Sequence, residues 1–476
     1  MLSTLCSLLA ILSAVPLALV VLTDRVGLRL FEVLIDLAVP VDPAAVGRLL
    51  LVGGAAACLA TPVAAWLARV LPPWVVLLAG LLVLAAGYLR SATVHSVGGL
   101  YLVRTLHGIG AGCLLAATAA LVGASSARLR PLLAAAWAAA VVGTVAAGPR
   151  LARSAPGPTS DWRHQLRPYP WLLLVAAVFG VALAAASIAD RRPRLYPRWI
   201  DLAALLPLTA GVPAALIALT LPRLSGQAAL LSTLVLLGGL AAIAAVAIRL
   251  ARGAGIAGQL WSGDGRGAVG AATAAVTFVA AAVVGPTSAG VLATRLYSRP
   301  DQPLATSGGL GGPLVVAAMC GVLAGVVGAL LPNARRRAVI VVGLLAAALG
   351  AVTLLPAGTG TAATLPGLVL LAAGNGLALG AVLRAVGPLA TAVAGAVLGV
   401  TLPLAGLTRE AVQSWKLRGV LSAAGGREQV EEYLRHAAVV GQRLWVGLAL
   451  VVVLTGAAVS AVALAVSASG AGGSAR

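Results

Sequence analysis

The sequence predicts an all-α polytopic membrane protein with fourteen transmembrane helices, two bundles of six joined by a linking pair. Three observations lead there. Of 476 residues, 61% are hydrophobic and only 10% are charged, and mean hydropathy is +1.04, whereas a water-facing surface needs roughly a quarter of its residues charged. Apolar runs close to the ~20 residues that cross a bilayer core recur along the whole chain. The 33 basic residues, which give a net charge of +20, fall between those runs in ones to fours, as loop residues do. Soluble enzymes, nucleic-acid readers and disordered chains are excluded by this composition.

The first six spans centre on residues 2–23, 49–67, 72–89, 100–123, 131–147 and 171–189. The first run is longer than a signal-peptide core and lacks a basic leading segment, so it reads as a span. The linking pair is 200–221 and 228–248. The last six centre on 268–293, 313–332, 338–355, 365–383, 389–407 and 444–466. The expected domains are therefore 1–190, the linking helices in 191–252, and 253–476. Residues 408–442 form a long polar connection before the last span.

An even count places both termini on one side. The densest basic clusters, Arg191, Arg192, Arg194 and Arg198, then Arg335, Arg336 and Arg337, fall on even-numbered loops, which puts the termini in the cytoplasm of a cell with the protein in its plasma membrane. Trp66, Trp74, Trp171, Trp199, Trp261 and Trp445 stand near run ends, where indole favours the interface, and Trp137 lies well inside a span. The spacings Gly321-x-x-x-Gly325 and Gly395-x-x-x-Gly399 allow close helix approach in lipid. Cys6, Cys58, Cys113 and Cys320 each lie within an apolar run without paired or metal-ligand spacing, and four histidines without partner spacing suggest no metal site. No cofactor is expected.

Local strings then carry a resemblance. Arg104-Thr-Leu-His107-Gly108-Ile-Gly110-Ala-Gly112 resembles the R-x-x-Q-G-x-G-A signature of the fourteen-helix drug:proton antiporter branch of the major facilitator superfamily, with His107 in the Gln position. Gly143 to Gly148-Pro149 resembles that family's antiporter motif, and Asp161-Trp162-Arg163 its W-R pair. Trp199-Ile-Asp201, Gly374-Asn375-Gly376-Leu377 and the stretch from Gly395 to Gly399 are similar in looser form. The pattern departs from the family in both acidic loop motifs. After the second span the chain reads Leu67-Ala-Arg69-Val-Leu-Pro72-Pro73, and in the second half Pro332 stands in the acid's place before Arg335. The family's acidic residues latch facing helix ends, so their loss removes one conformational clamp.

The candidate pathway residues are Arg104, His107, Asp24 and Asn375, and the candidate gating and packing residues are Gly108, Gly110, Gly112, Gly143, Gly148 and Pro149. An ionised side chain held in a span costs about 2.5–3.5 kcal/mol on insertion scales, so Arg104 needs a partner or an aqueous cavity. Its other reading is a side chain that snorkels to the interface from the helix start. His107 is a proton group or a hydrogen-bonded packing residue. Asp24 ends an apolar run and resembles the family's first-helix Asp, which makes it the candidate partner of Arg104 by resemblance. No Asp or Glu lies in the middle of any span.

Aromatic residues make up 4% of the chain, so a cavity would be aliphatic with a positive tilt, suited to an amphiphilic or weakly anionic molecule. The resemblance implies a secondary active transporter that exports a small amphiphilic organic compound by alternating access, with the lipid bilayer, that substrate and protons as partners and no nucleic acid. The lost acidic latches motivate an alternative, a transport-inactive membrane scaffold. An intramembrane enzyme lacks any His, Asp and Glu constellation at catalytic spacing.

Overall fold

The computed structural model of the chain describes residues 2–22, 36–37, 43–126, 128–153, 162–188, 277, 311–332, 336–355, 361–385 and scattered positions from 446 to 457. Among these residues the protein is all-helical. The helices are α1 (Leu2–Leu22), α2 (Pro43–Val70), α3 (Pro73–Ser91), α4 (Val97–Ala124), α5 (Arg130–Arg153), α6 (Pro170–Ile188), α7 (Gly311–Leu330), α8 (Arg336–Thr353) and α9 (Thr361–Ala385), with a 3-10 helix at Trp162–Leu166.

Nine of the fourteen expected spans coincide with described helices, each within a few residues of its sequence position except that α2 and α5 run longer. Six of them, α1, α3, α4, α6, α7 and α9, are long and apolar enough over their described residues to cross a membrane. α2, α5 and α8 carry the shorter apolar stretches Val52–Ala68, Arg130–Ala146 and Ala338–Thr353. The expected linking pair, the ninth and thirteenth spans (save Thr277), and the polar connection 408–442 lie outside the described residues. Of the last span only scattered helical positions are described.

Local chemistry sets the helix ends. Pro73 starts α3 after Pro72, whose φ of −55° and ψ of 136° cannot continue α2, since a residue that precedes proline is pushed to extended backbone. That leaves Leu71-Pro72 as the whole connection. Ser96 caps α4, its Oγ accepting from the Gly99 N–H at 3.1 Å. Arg130 donates from Nη2 to the carbonyls of Gly123 and Ser125, both at 3.4 Å, at the end of α4.

Hydroxyl groups inside the spans are silenced by their own helices. Ser13 donates to Leu9 O at 2.8 Å, Thr61 to Ala57 O at 2.7 Å and Thr118 to Leu114 O at 2.7 Å. In hydrocarbon, with no water to take these donors, such back-bonding is what makes the residues tolerable. Outward faces are apolar at helical spacing, as in Trp171, Leu174, Val178 and Val181 of α6 and Met319, Leu323, Val327 and Leu330 of α7. Stripes of that kind fit lipid rather than water. The chain is a multi-pass membrane protein.

The described helices fall into two compact units. The first contains α1, α2, α3, most of α4, the 3-10 helix and α6, and the second contains most of α5 with α7, α8 and α9. In the first, α1 and α3 pack on α6; in the second, α9 packs against both α7 and α8.

The two units repeat one helix seam. In the first, a Cβ on Gly108 of α4 would meet Gly53 O, Ala56 Cβ and Ala57 N of α2, and one on Gly112 would meet Ala57 O and Thr61 N. In the second, a Cβ on Gly376 of α9 would meet Gly321 O and Gly325 N of α7, and one on Gly380 would meet Gly325 O and Ala329 N. Each of these positions, 53, 57, 61, 108 and 112, is matched 268 residues later. The glycines serve the same purpose in both seams, letting helix backbones touch. α3 and α8 take the third place, Gly80 against Gly110 O and Gly343 against Gly374 O.

Candidate transport site

Arg104 stands in the third turn of α4, about 10 Å along the helix from Val97 at 1.5 Å per residue, deeper than a first-turn anchor. Its side chain is partly exposed and runs beside Gly53 of α2. A Cβ on Gly53 would lie 3.2 Å from Arg104 O, 3.7 Å from its Cβ and 3.8 Å from its Nε. Gly53 was not singled out from sequence, and the close approach that needs a glycine there shows only when α2 and α4 are seen together.

The glycines after Arg104 do not leave an open groove. Gly108 and Gly112 are filled by α2, and Gly110 receives Leu84 and Gly80 O of α3. Gly143 of α5 faces Val322 of α7, 2.9 Å from the position its Cβ would take. Gly148 and Pro149 lie within α5, and Asp24 lies outside the described residues. The structure brings Arg104, His107, Gly108, Gly110 and Gly112 together on α4 of the first unit and places Gly143 and Asn375 in the second.

His107 is buried between α3 and α4 at 7% exposure. Its ring meets Tyr88 edge to face, centroids 5.4 Å apart at 73°, and it leans on Gly87, whose Cβ would fall 3.0 Å from Nε2. Nε2 has no hydrogen-bond partner among the described residues. Tyr88 in turn donates its hydroxyl to Pro168 O at 2.7 Å. Asn375 is fully buried on α9, donating from Nδ2 to Leu371 O at 2.9 Å while its Oδ1 has no partner among the described residues. By the 268-residue repeat Asn375 is the counterpart of His107, and Ala372 the counterpart of Arg104. Self-comparison of the sequence around Gly108 and Gly376 is the signal that finds this pairing.

A second polar cluster ties the connections of the first unit. Arg163 of the 3-10 helix donates from Nε to Val94 O at 2.7 Å and pairs through Nη2 with Asp36 Oδ2 at 2.7 Å. Trp162 donates from Nε1 to the same Asp36 oxygen at 3.0 Å, and the guanidinium lies 4.7 Å from the Trp162 ring centroid. The Trp162 hydrogen bond, followed by the charge of Arg163, holds the Asp36 carboxyl below its ordinary value of 3.8. The sequence drew attention to Trp162 and Arg163 but gave no sign of Asp36, more than a hundred residues away, as their partner.

No known protein-family profile and no curated protein matches this sequence. Solved structures do. The chain is similar to the crystal structure of the human organic anion transporter MFSD10 (TETRAN), with TM-score 0.56, 17% identity, and 96% of this chain and 97% of that one covered. It is also similar to the major facilitator superfamily proton:xylose symporter XylE bound to 6-bromo-6-deoxy-D-glucose, with TM-score 0.56, 12% identity and 94% of each chain covered. Likeness over nearly the whole length at such low identity concerns the fold alone, and the fold of this chain is similar to that of these two solved structures.

Proposed function

We propose that the protein is a secondary active transporter that exports a small amphiphilic or weakly anionic organic compound by alternating access, with a path that passes Arg104. The observation that carries this reading is the asymmetry between the repeats. The seam of α7 with α9 is built with Ala372 where the seam of α2 with α4 has Arg104, so packing does not require a charge there. A cation kept in the third turn of a spanning helix, at a cost of about 2.5–3.5 kcal/mol on insertion scales, then calls for a use. The likeness to two transporter folds supports the same class.

His107 and Asn375, matched by the repeat and each with a polar atom that has no hydrogen-bond partner among the described residues, are the accompanying candidates for the proton or substrate path, with Asp24 as the candidate partner of Arg104. Gly143, Gly148 and Pro149 fit a gating or packing seam on α5. Membership of the fourteen-helix antiporter branch, domains at 1–190, 191–252 and 253–476, a plasma-membrane location and cytoplasmic termini belong to the same proposal.

A scaffold that does not transport is the second reading, favoured by the bare Leu71-Pro72 connection, which has no acid to latch a facing helix. Inside-out vesicles loaded with a pH-sensitive dye separate the two. A panel of amphiphilic anions should dissipate a proton gradient only in vesicles that contain the protein. No response to any member, from protein shown to be folded, favours the scaffold.

A further inference from the structure

The cluster around Arg163 lies at the start of α4. Trp162 and Leu166 pack with Val94, Leu100 and Val103 into one apolar cluster, flanked by Leu37, Val97 and Tyr101. Four of those residues, Val97, Leu100, Tyr101 and Val103, lie in the first two turns of α4, and the residue after Val103 is Arg104. Above them the polar contacts draw on three separate connections. Asp36 follows α1, Val94 and His95 join α3 to α4, and Trp162 and Arg163 precede α6. His95 Nδ1 lies 3.4 Å from Arg163 Nη2.

We propose that the clasp of Arg163 with Asp36, Trp162 and the Val94 carbonyl is a positioning device that fixes the outer turns of α4 and thereby sets where Arg104 stands in the transport path. The inference rests on the assignment of Arg104 to that path. Arg163 is 15% exposed, and it uses its Nε and Nη2 donors and its flat face at once. An isolated surface ion pair would contribute little, but a fork that spans three connections acts as a network even though its Asp36 end is 46% exposed. Lysine cannot reproduce it, because an ammonium has one point of charge and no plane to lay over Trp162. Arg163 and Trp162 are therefore positioning residues, acting on the path through α4.

The test uses the full chain in lipid nanodiscs. Hydrogen exchange of the Val97 to Arg104 amides should rise at least about tenfold in Arg163→Lys, as loss of hydrogen bonds to a charged group implies, while exchange in α6 stays as in the parent and marks a folded protein. Trp162→Phe, which keeps an aromatic ring in the apolar cluster but removes the Nε1 donor and part of the ring, should give a smaller rise and serves where Arg163→Lys does not fold. In a chain whose four native cysteines are replaced by alanine, Arg104→Cys is treated with a membrane-impermeant thiosulfonate. Its modification rate should change at least severalfold when Arg163→Lys is added, an effect that a brace without influence on the path would not produce. Unchanged exchange in Val97 to Arg104, or a measurable modification rate that is the same with and without the clasp, overturns the proposal. Cysteine at 104 that is modified in neither background, with exchange raised, overturns the path assignment and leaves the clasp as the anchor of α4.

Discussion

Replacing Gly108 with alanine tests the repeated seam, because the added methyl has nowhere to go. Its Cβ would sit 2.8 Å from Ala56 Cβ and 2.9 Å from Ala57 N, and closer still to Gly53 O. These are backbone and Cβ atoms, so no rotamer can relieve the clash and α2 must move away by roughly half an ångström or more. A gap of that size forfeits about a quarter to a half of the dispersion energy of each contact along the seam, and overpacking of this kind costs about 1–3 kcal/mol. Gly98 supplies the control, since a Cβ there meets nothing within 4 Å. Both substitutions gain the same sign of helix propensity, so Gly108→Ala should be less stable than Gly98→Ala by about 1–3 kcal/mol. Gly376→Ala, at the matching place in the second unit, should show a similar deficit. Denaturant unfolding in mixed micelles, followed by tryptophan fluorescence, measures the difference. If Gly108→Ala unfolds together with Gly98→Ala, the seam is looser than described and the reasoning from Gly53 to Arg104 fails with it.

Three further outcomes are expected. Asp36 has a depressed value in the folded state, so its contribution is present above the unfolded value of about 3.8 and is lost as pH falls through the folded one; thermal stability should gain no Asp36-dependent change between pH 7 and 5, should fall below about pH 4, and Asp36→Asn should abolish that acid-limb component. Tyr88→Phe removes the donor to the Pro168 carbonyl and should lower unfolding stability by about 1–2 kcal/mol, the range for a buried hydrogen bond whose acceptor is left unpaired. Single cysteines at His95 and Arg163 should label from one face of the membrane, opposite to cysteines at Arg128, Arg192 and Arg336, and labelling of the first two from opposite faces would contradict the alternation of helices.

The helices were legible because apolar run length and proline placement are local properties. Pro73, Pro131 and Pro170 stand at or next to the starts of α3, α5 and α6, where a missing N–H costs nothing. Arg104, His107 and the glycines after them were legible as a string. What surrounds them was not, because helical periodicity says which residues share a face and not which helix covers it. Gly108 and Gly112 read as gating or packing glycines, and only the fold shows that α2 lies against them. Nothing local marks Asp36 as a carboxylate whose partners are Trp162 and Arg163. The matched seam was present in the sequence as Gly108, Gly112, Gly376 and Gly380 at one offset, but its meaning depends on Gly53 and Gly321, whose role is set by backbone approach.

The most direct test of the transport assignment is the flux through Arg104→Ala. With wild-type protein and a member of the amphiphile panel that it moves, inside-out vesicles should dissipate the proton gradient on addition of that compound. Arg104→Ala should insert and fold as the wild type does, since loss of a charge eases insertion of α4, yet give no flux above empty vesicles. Arg104→Ala that moves the compound at the wild-type rate would make Arg104 an interfacial anchor and contradict the account.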